Sequence, residues 1–273
     1  MAIRLIATDL DGTLLQDDHC TVAEEEINAL AEAAERGVVH VIASGRTWDT
    51  LQDTARQVKE VRYAILSNGA AWYRPADGTY ELIGGIPYPV WEPCSRFLRE
   101  NGAVFEVYCR GKSYLEKSDL PRFVSPHLSE KFREELTRHI TLVEGVESIL
   151  EEKEIEKISV LTIPMPNCAR VEEKLVLSGD FEITTSIPGN MEINRKGVDK
   201  GTGLARLCAE LGISAEEVMA FGDSNNDLAM LRWAHYSFAM GNGVQEAKDA
   251  ARFLTKSNAE HGVAEAIRRY VRK

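Results

Sequence analysis

The residues best equipped for chemistry stand where a short apolar run, residues 3–9, ends on Asp9 and continues Leu10-Asp11-Gly12-Thr13-Leu14-Leu15. Two carboxylates two positions apart at a strand end can act as a nucleophile and a proton carrier, or as oxygen ligands for a cation. Two further strand ends are polar in the same way: Val38 to Ala43 runs into Ser44-Gly45-Arg46, and Val218 to Phe221 into Gly222-Asp223-Ser224-Asn225-Asn226-Asp227. Carboxylates that converge in one cleft repel one another unless a cation sits among them, and hard oxygen donors suit Mg²⁺. The spacing therefore predicts a Mg²⁺ site built from Asp9, Asp11 and Asp223. Ser44, the backbone N–H groups of Leu10 and Gly45, the Asn226 amide and a lysine supply the donors that a phosphate dianion takes. The chemistry expected of such a set is phosphoryl transfer.

Ligands of open α/β sheets bind at the carboxyl ends of the strands, so the surrounding elements must bring these three ends together. Thr21 with Glu24 three positions on reads as a capping box for a helix that stops at Gly37, ahead of the strand Val38 to Ala43. A second helix, about Trp48 to Val58, and the strand Tyr63 to Leu66 continue the alternation, which predicts a doubly wound parallel sheet. After Asn68-Gly69, a hairpin is expected around Pro75-Ala76-Asp77-Gly78. From about Ile86 to Gly189 helices and strands mix as in an α+β unit: strands at 104–109, 113–116, 158–163 and 181–185, a charged helix near Glu130 to His139, and a helix to Leu177. The α/β rhythm resumes with a strand Met191 to Asn194 and a helix Lys200 to Leu211. The expected organisation is an α/β core of residues 1–85 and 190–273, interrupted by an α+β cap of residues 86–189.

The 273 residues carry 32 Lys+Arg against 43 Asp+Glu, a formal net charge of -11, with 44% hydrophobic residues. That composition is globular rather than disordered. It lacks the basic stripe with which proteins neutralise phosphate backbones, so nucleic acid is not an expected partner. The longest apolar runs fall far short of the roughly 20 residues that span a bilayer, and the amino terminus lacks a long apolar leader segment. Five scattered cysteines without a Cys-x-x-Cys pair read as reduced thiols. A cytoplasmic location, no membrane partner and a small phosphorylated metabolite as ligand are expected; the oligomeric state is not legible.

The segments Asp9 to Leu15, Ser44-Gly45-Arg46, Lys200 and Gly222 to Asp227 together resemble the four ordered motifs of the haloacid dehalogenase (HAD) superfamily phosphatases. The insertion of roughly 100 residues, preceded by Ser67-Asn68-Gly69-Ala70, resembles the Cof-type subfamily with its type IIB cap. The resemblance implies a Rossmann-like core. It further implies that Asp9 is the nucleophile, forming an aspartyl-phosphate, and that Asp11 is the general acid and base. Mg²⁺ would take a side-chain oxygen of Asp9, the backbone carbonyl of Asp11 and the carboxylate of Asp223, with Ser44 and Lys200 on the phosphoryl oxygens. Lys196 competes for the lysine role, but Lys200 opens the helix and matches the motif.

Plainer readings accompany these. Asp-Gly is a common turn pair, Ser44 can cap the helix near Thr47, and Asp227 can serve as a supporting group. Arg46 reaches either substrate or a salt-bridge partner. His40 lies in an apolar strand as a core residue, none of the six histidines is expected to be catalytic, and Trp72, Trp91 and Trp233 read as packing. The run Glu147 to Lys157 reads as a solvated helix face. A phosphosugar mutase or a dedicated sugar-phosphate phosphatase on the same core, or more distantly a non-enzymatic phosphoacceptor switch, stands beside the phosphatase of several small esters.

Overall fold

The computed structural model describes residues 2–123, 134, 137–185 and 190–271. Strands β1 (Leu5–Thr8), β2 (Val39–Ala43), β3 (Val61–Leu66), β4 (Ala71–Arg74) and β5 (Thr79–Leu82) lie in the first part of the chain. Then follow β6 (Val104–Cys109), β7 (Lys112–Glu116), β8 (Ile140–Val143), β9 (Lys157–Thr162), β10 (Phe181–Thr184) and β11 (Met191–Arg195). The chain closes with β12 (Val218–Gly222), β13 (Tyr236–Ala239) and β14 (Phe253–Leu254).

One sheet runs β14-β13-β12-β1-β2-β3-β4-β5, parallel from β14 to β3 and antiparallel through the hairpin β4-β5. Its central strands are near-continuous apolar runs because both faces are covered. Successive residues feed opposite layers. Ile6, Ile42 and Phe221 pack with Leu30 and Ile267 on one side, and Leu5, Ala7 and Val41 with Leu204 and Leu207 on the other. This is the expected doubly wound α/β core, and it sets the carboxyl ends of β1, β2 and β12 side by side.

The second sheet has the order β10-β11-β9-β6-β7-β8, antiparallel except for β7 with β8. Its strands alternate. Phe105, Val107, Ile158, Val160, Met191 and Ile193 pack against Trp91, Leu98, Val171 and Leu175 of the helices Tyr88–Glu100 and Met165–Ser178. The intervening residues form the other face, which is polar yet buried: Glu106, Lys157, Ser159, Glu192 and Asn194.

Three expectations need correction. The strand at Met191 was expected in the α/β core, but β11 pairs with β9 and β10 in the second sheet. Its Met-Glu-Ile-Asn alternation is the mark of an antiparallel strand with one apolar face, unlike the continuous runs of β1 and β12. Thr21 caps no helix. The helix is Glu24–Ala34, and Thr21 instead closes a turn on Asp18, whose carboxylate accepts from its amide and hydroxyl. Nor is Glu147 to Lys157 a solvated helix: the helix there is only Val146–Ile149, and Glu156 and Lys157 are fully buried. Most of the charged helix expected near Glu130 to His139 lies outside the described residues. No helix among the described residues is long and apolar enough to cross a membrane.

Candidate active site

β1 and β12 are parallel neighbours, and the Asp9 amide continues their ladder by donating to the Phe221 carbonyl at 3.1 Å. The loop after β1 therefore leaves the sheet beside the loop after β12. Between them comes the start of the helix Lys200–Leu211, anchored by a capping box of Asp199 and Thr202. Lys200 is fully buried, and its ammonium donates to Asp9 Oδ1 at 2.6 Å and to Asp227 Oδ1 at 2.7 Å. Burial alone would lower its pKa, but Asp227 and Asp9 hold it well above the ordinary lysine value. Lys196, the rival lysine, is exposed and pairs with Glu182 at 2.9 Å.

Carboxylate oxygens of Asp9, Asp223 and Asp227 all lie within 4.8 Å of one another. The third carboxylate is thus Asp227 and not Asp11, whose side chain turns elsewhere. Asp227 also fixes the loop from within: Oδ2 accepts from the amides of Asp223 at 2.9 Å and Ser224 at 3.0 Å. Asp223 Oδ1 accepts from the Thr13 hydroxyl at 2.9 Å. Gly12 is required here, because its φ is +78° and a Cβ would come within 2.5 Å of Asp223 Oδ2.

Burial and the neighbouring Asp227 push the Asp223 carboxyl up to about 7. Asp9 is likewise raised well above the usual range, by burial and then by Asp227, against the pull of Lys200. One ammonium among three carboxylates, those of Asp9 and Asp227 buried and that of Asp223 half-buried, leaves negative charge uncompensated. Such an all-oxygen donor set fits a hard divalent cation, and Mg²⁺ in particular tolerates a partial protein shell completed by water and phosphate.

Asp11 is held apart by charge. Arg46 donates to it through Nε (2.9 Å to Oδ2) and Nη2 (2.6 Å to Oδ1), and His19 Nδ1 lies 2.9 Å from Oδ1. Burial would raise its pKa, but Arg46 and His19 hold the carboxyl well below the usual range. The same contact raises His19 above the ordinary histidine value. Of the two options open for Arg46, the structure takes the salt bridge. His19 was not anticipated, since its only sequence signal is proximity to the first motif.

At the end of β2, Ser44 is buried and its Oγ accepts from the Arg46 amide at 3.1 Å. Thr47, not Ser44, caps the helix Trp48–Gln57. The Gly45 carbonyl accepts from Lys157 Nζ of the second sheet at 2.7 Å. Leu10 is fully buried directly after Asp9, and Asn226 Nδ2 donates to Asn68 Oδ1 at 3.2 Å. His40, taken as a core residue, is buried with Nε2 2.9 Å from the Thr8 hydroxyl, and burial lowers its pKa to about 3.

The arrangement has known counterparts. Residues 6–267 match the haloacid dehalogenase-like hydrolase family. The chain is 32% identical, over 98% of its length and 96% of the other, to the Bacillus subtilis (strain 168) protein named 5-amino-6-(5-phospho-D-ribitylamino)uracil phosphatase YcsE. A haloacid dehalogenase-like hydrolase from B. subtilis superposes with a TM-score of 0.86 at 26% identity, covering 97% of this chain and 99% of that one. A second such hydrolase, from Bacteroides thetaiotaomicron, gives 0.83 at 27% identity, covering 98% and 99%. With a family match across almost the whole chain, a doubly wound core and an inserted α+β sheet, the chain belongs to the haloacid dehalogenase-like hydrolases, among their phosphoric monoester hydrolases.

Proposed function

We propose that this enzyme is a Mg²⁺-dependent phosphatase of small phosphomonoesters, sugar phosphates or related metabolites, working through an aspartyl-phosphate on Asp9. The observation that carries this reading is the meeting of Asp9, Asp223 and Asp227 around the buried Lys200 at the ends of β1 and β12. Asp9 and Asp223, with the Asp11 backbone carbonyl, would hold the cation. When bound, it would neutralise the carboxylates and the phosphoryl oxygens.

Asp9 attacks phosphorus in line; the bond from phosphorus to the ester oxygen breaks, and the leaving oxygen takes a proton from Asp11. Water then attacks phosphorus and Asp11 takes its proton. The bond from phosphorus to Asp9 breaks, freeing phosphate and the Asp9 carboxylate. Ser44, Lys200, Asn226 and the amides of Leu10 and Gly45 hold the phosphoryl oxygens, so electrostatic positioning carries most of the rate. Arg46 and His19 keep Asp11 ionised, the form needed to activate water. To donate a proton to the leaving oxygen, Asp11 must first part from Arg46 and take up a proton from solvent; in the second half-reaction it regains a proton from the attacking water.

Asp11→Asn tests this division of labour. On p-nitrophenyl phosphate, whose leaving group needs no proton, the variant is expected to release about one equivalent of nitrophenolate and then stall. Its steady rate should be lower by roughly 10²- to 10⁴-fold. A steady rate like that of the wild type, without a burst, contradicts the role. A substrate panel that includes the phosphorylated ribitylaminouracil of the YcsE name begins to identify the physiological ester.

Mg²⁺ binding should depend on pH through Asp223. Below about 7 the cation must displace a proton from that carboxyl, so apparent affinity is expected to fall about tenfold per pH unit. In the metal-free protein, the raised Asp223 pKa contributes stability that is present below the ordinary carboxylate range and is lost as pH rises through about 7. The rise in melting temperature on adding Mg²⁺ should therefore be larger at about pH 8 than at about pH 5.5. An equal rise at both removes Asp223 from the ligand set.

A further inference from the structure

The turn between β3 and β4 has three successive residues at positive φ: Ser67 at 52°, Asn68 at 57° and Gly69 at 98°. Two of them carry side chains, and such a backbone persists only where its surroundings over-determine it, a situation typical of functional sites. The surroundings come from both sheets. On the core side, the amide of Ser67 donates to the Arg46 carbonyl at 3.1 Å and that of Asn68 to the Ser44 carbonyl at 3.0 Å. A Cβ on Gly69 would stand 2.0 Å from the Asp199 carbonyl, so the turn presses on the residue preceding Lys200. On the other side, Glu156 of the second-sheet segment accepts from the Ser67 hydroxyl, and Asn194 Nδ2 donates to the Ser67 carbonyl at 2.8 Å.

The Asn68 side chain, 2% exposed, joins the two sides. Its Oδ1 accepts from the Asn226 amide at 3.2 Å, and its Nδ2 donates to Glu192 Oε2 at 2.8 Å. Glu192 Oε1 accepts from Lys157 Nζ at 2.5 Å, and the same ammonium donates to the Gly45 carbonyl at 2.7 Å. A circuit thus leaves the second sheet through Lys157 and Glu192 and enters the core at Gly45 and, through Asn68, at Asn226. The links among Lys157, Glu192, Asn68 and Asn226 are buried and that to Gly45 partly so, and in such surroundings hydrogen bonds are strong and unpaired groups costly. An ion pair in that position is poor value as a stabiliser, because apolar residues of the same volume would serve at least as well.

We infer that Asn68 is a positioning residue: through the Lys157–Glu192 pair it senses that the second sheet is docked, and it sets the Asn226 amide for the phosphoryl group only then. The inference rests on the phosphatase reading above. Docking of the inserted sheet and assembly of the phosphate site become one event, so a substrate is turned over only beneath a seated cap. The effect is blind to the leaving group, because it acts on groups that face the phosphoryl oxygens. A leaving-group subsite formed by the same residues would discriminate among substrates instead.

The test uses Asn68→Gly, which keeps the positive φ at no steric cost and removes only the side chain, together with Glu192→Ala and the double variant. Thermal melts first establish that each folds cooperatively. For wild type that turns over, Asn68→Gly is expected to lower kcat/KM roughly 10- to 100-fold on both p-nitrophenyl phosphate and a sugar phosphate, and to weaken inhibition by inorganic phosphate about tenfold. Glu192→Ala alone should cost about tenfold, but clearly less in the Asn68→Gly background, because its path to Asn226 runs through Asn68 and only the Lys157 contact with Gly45 bypasses it. Wild-type turnover in Asn68→Gly, multiplicative losses in the double variant, or losses confined to the bulkier substrate each overturn the inference and leave the phosphatase reading standing. A wild type that releases phosphate from no ester overturns both.

Discussion

Asp9→Asn is expected to abolish phosphate release, on the order of 10⁴-fold or more, while leaving the melting temperature of the metal-free protein unchanged or higher. The two halves have one cause. The Asp9 carboxylate is buried beside Asp227 and Asp223, and although Lys200 donates to it, its pKa stays well above the usual range. A carboxyl raised in the folded state contributes stability below its unfolded pKa and loses it as pH rises through the folded value. Near neutrality its charge is a burden on the fold, kept for its chemistry. Asparagine has nearly the same shape and accepts from Lys200 without carrying that charge. Activity assays beside thermal melts check the pair of effects. Retained turnover removes Asp9 as nucleophile, and a lost melting transition makes it structural.

Lys200→Met is expected to fail in the opposite way, losing stability and turnover together. The lysine is fully buried, and it is the group that donates to both Asp9 and Asp227. Removing one partner of a buried ion pair leaves the remaining charge uncompensated, at a cost of about 3–5 kcal/mol. The loss should narrow on acidification, as a proton on Asp9 relieves the repulsion that the ammonium relieved before. Turnover should fall by roughly 10³-fold, since a preorganised cation at the phosphoryl group is gone. Denaturant unfolding at two pH values and assays at saturating Mg²⁺ read both quantities. Stability within about 1 kcal/mol of wild type at neutral pH contradicts the assignment.

The core and the loops that carry its acidic residues were legible because they obey local rules. Apolar runs buried on both faces mark β1, β2 and β12, and ligands of parallel sheets gather at the strand ends that follow. Lys200 could be separated from Lys196 by its place at a helix start. What stayed hidden depends on pairings distant in sequence. Asp227 read as a supporting group, yet its carboxylate stands with Asp9 and Asp223, because the short turn at Asn225–Asp227 folds it back under its own loop. Arg46 and His19 surround Asp11 from loops 35 and 8 residues away, and nothing in their local sequence names that partner.

The second sheet leaves a weaker imprint on the local sequence. Glu156 and Lys157 continue a charged run, which suggests solvent, but the sheet turns them against the core. Their partners Ser67, Gly45 and Glu192 belong to segments at least 35 residues distant. The one local clue lay in alternation: Met191-Glu192-Ile193-Asn194 has the period of two that separates β11 from the parallel strands.

The most direct test of the mechanism is to mix Asp11→Asn with p-nitrophenyl phosphate and Mg²⁺, quench in acid after the burst, and map the protein by peptide mass spectrometry. The expected result is one phosphoryl group on the peptide that contains Asp9, absent when Asp9 is also replaced by asparagine. Nitrophenolate released with no phosphorylated peptide, or a phosphoryl group on any other residue, would contradict transfer through Asp9.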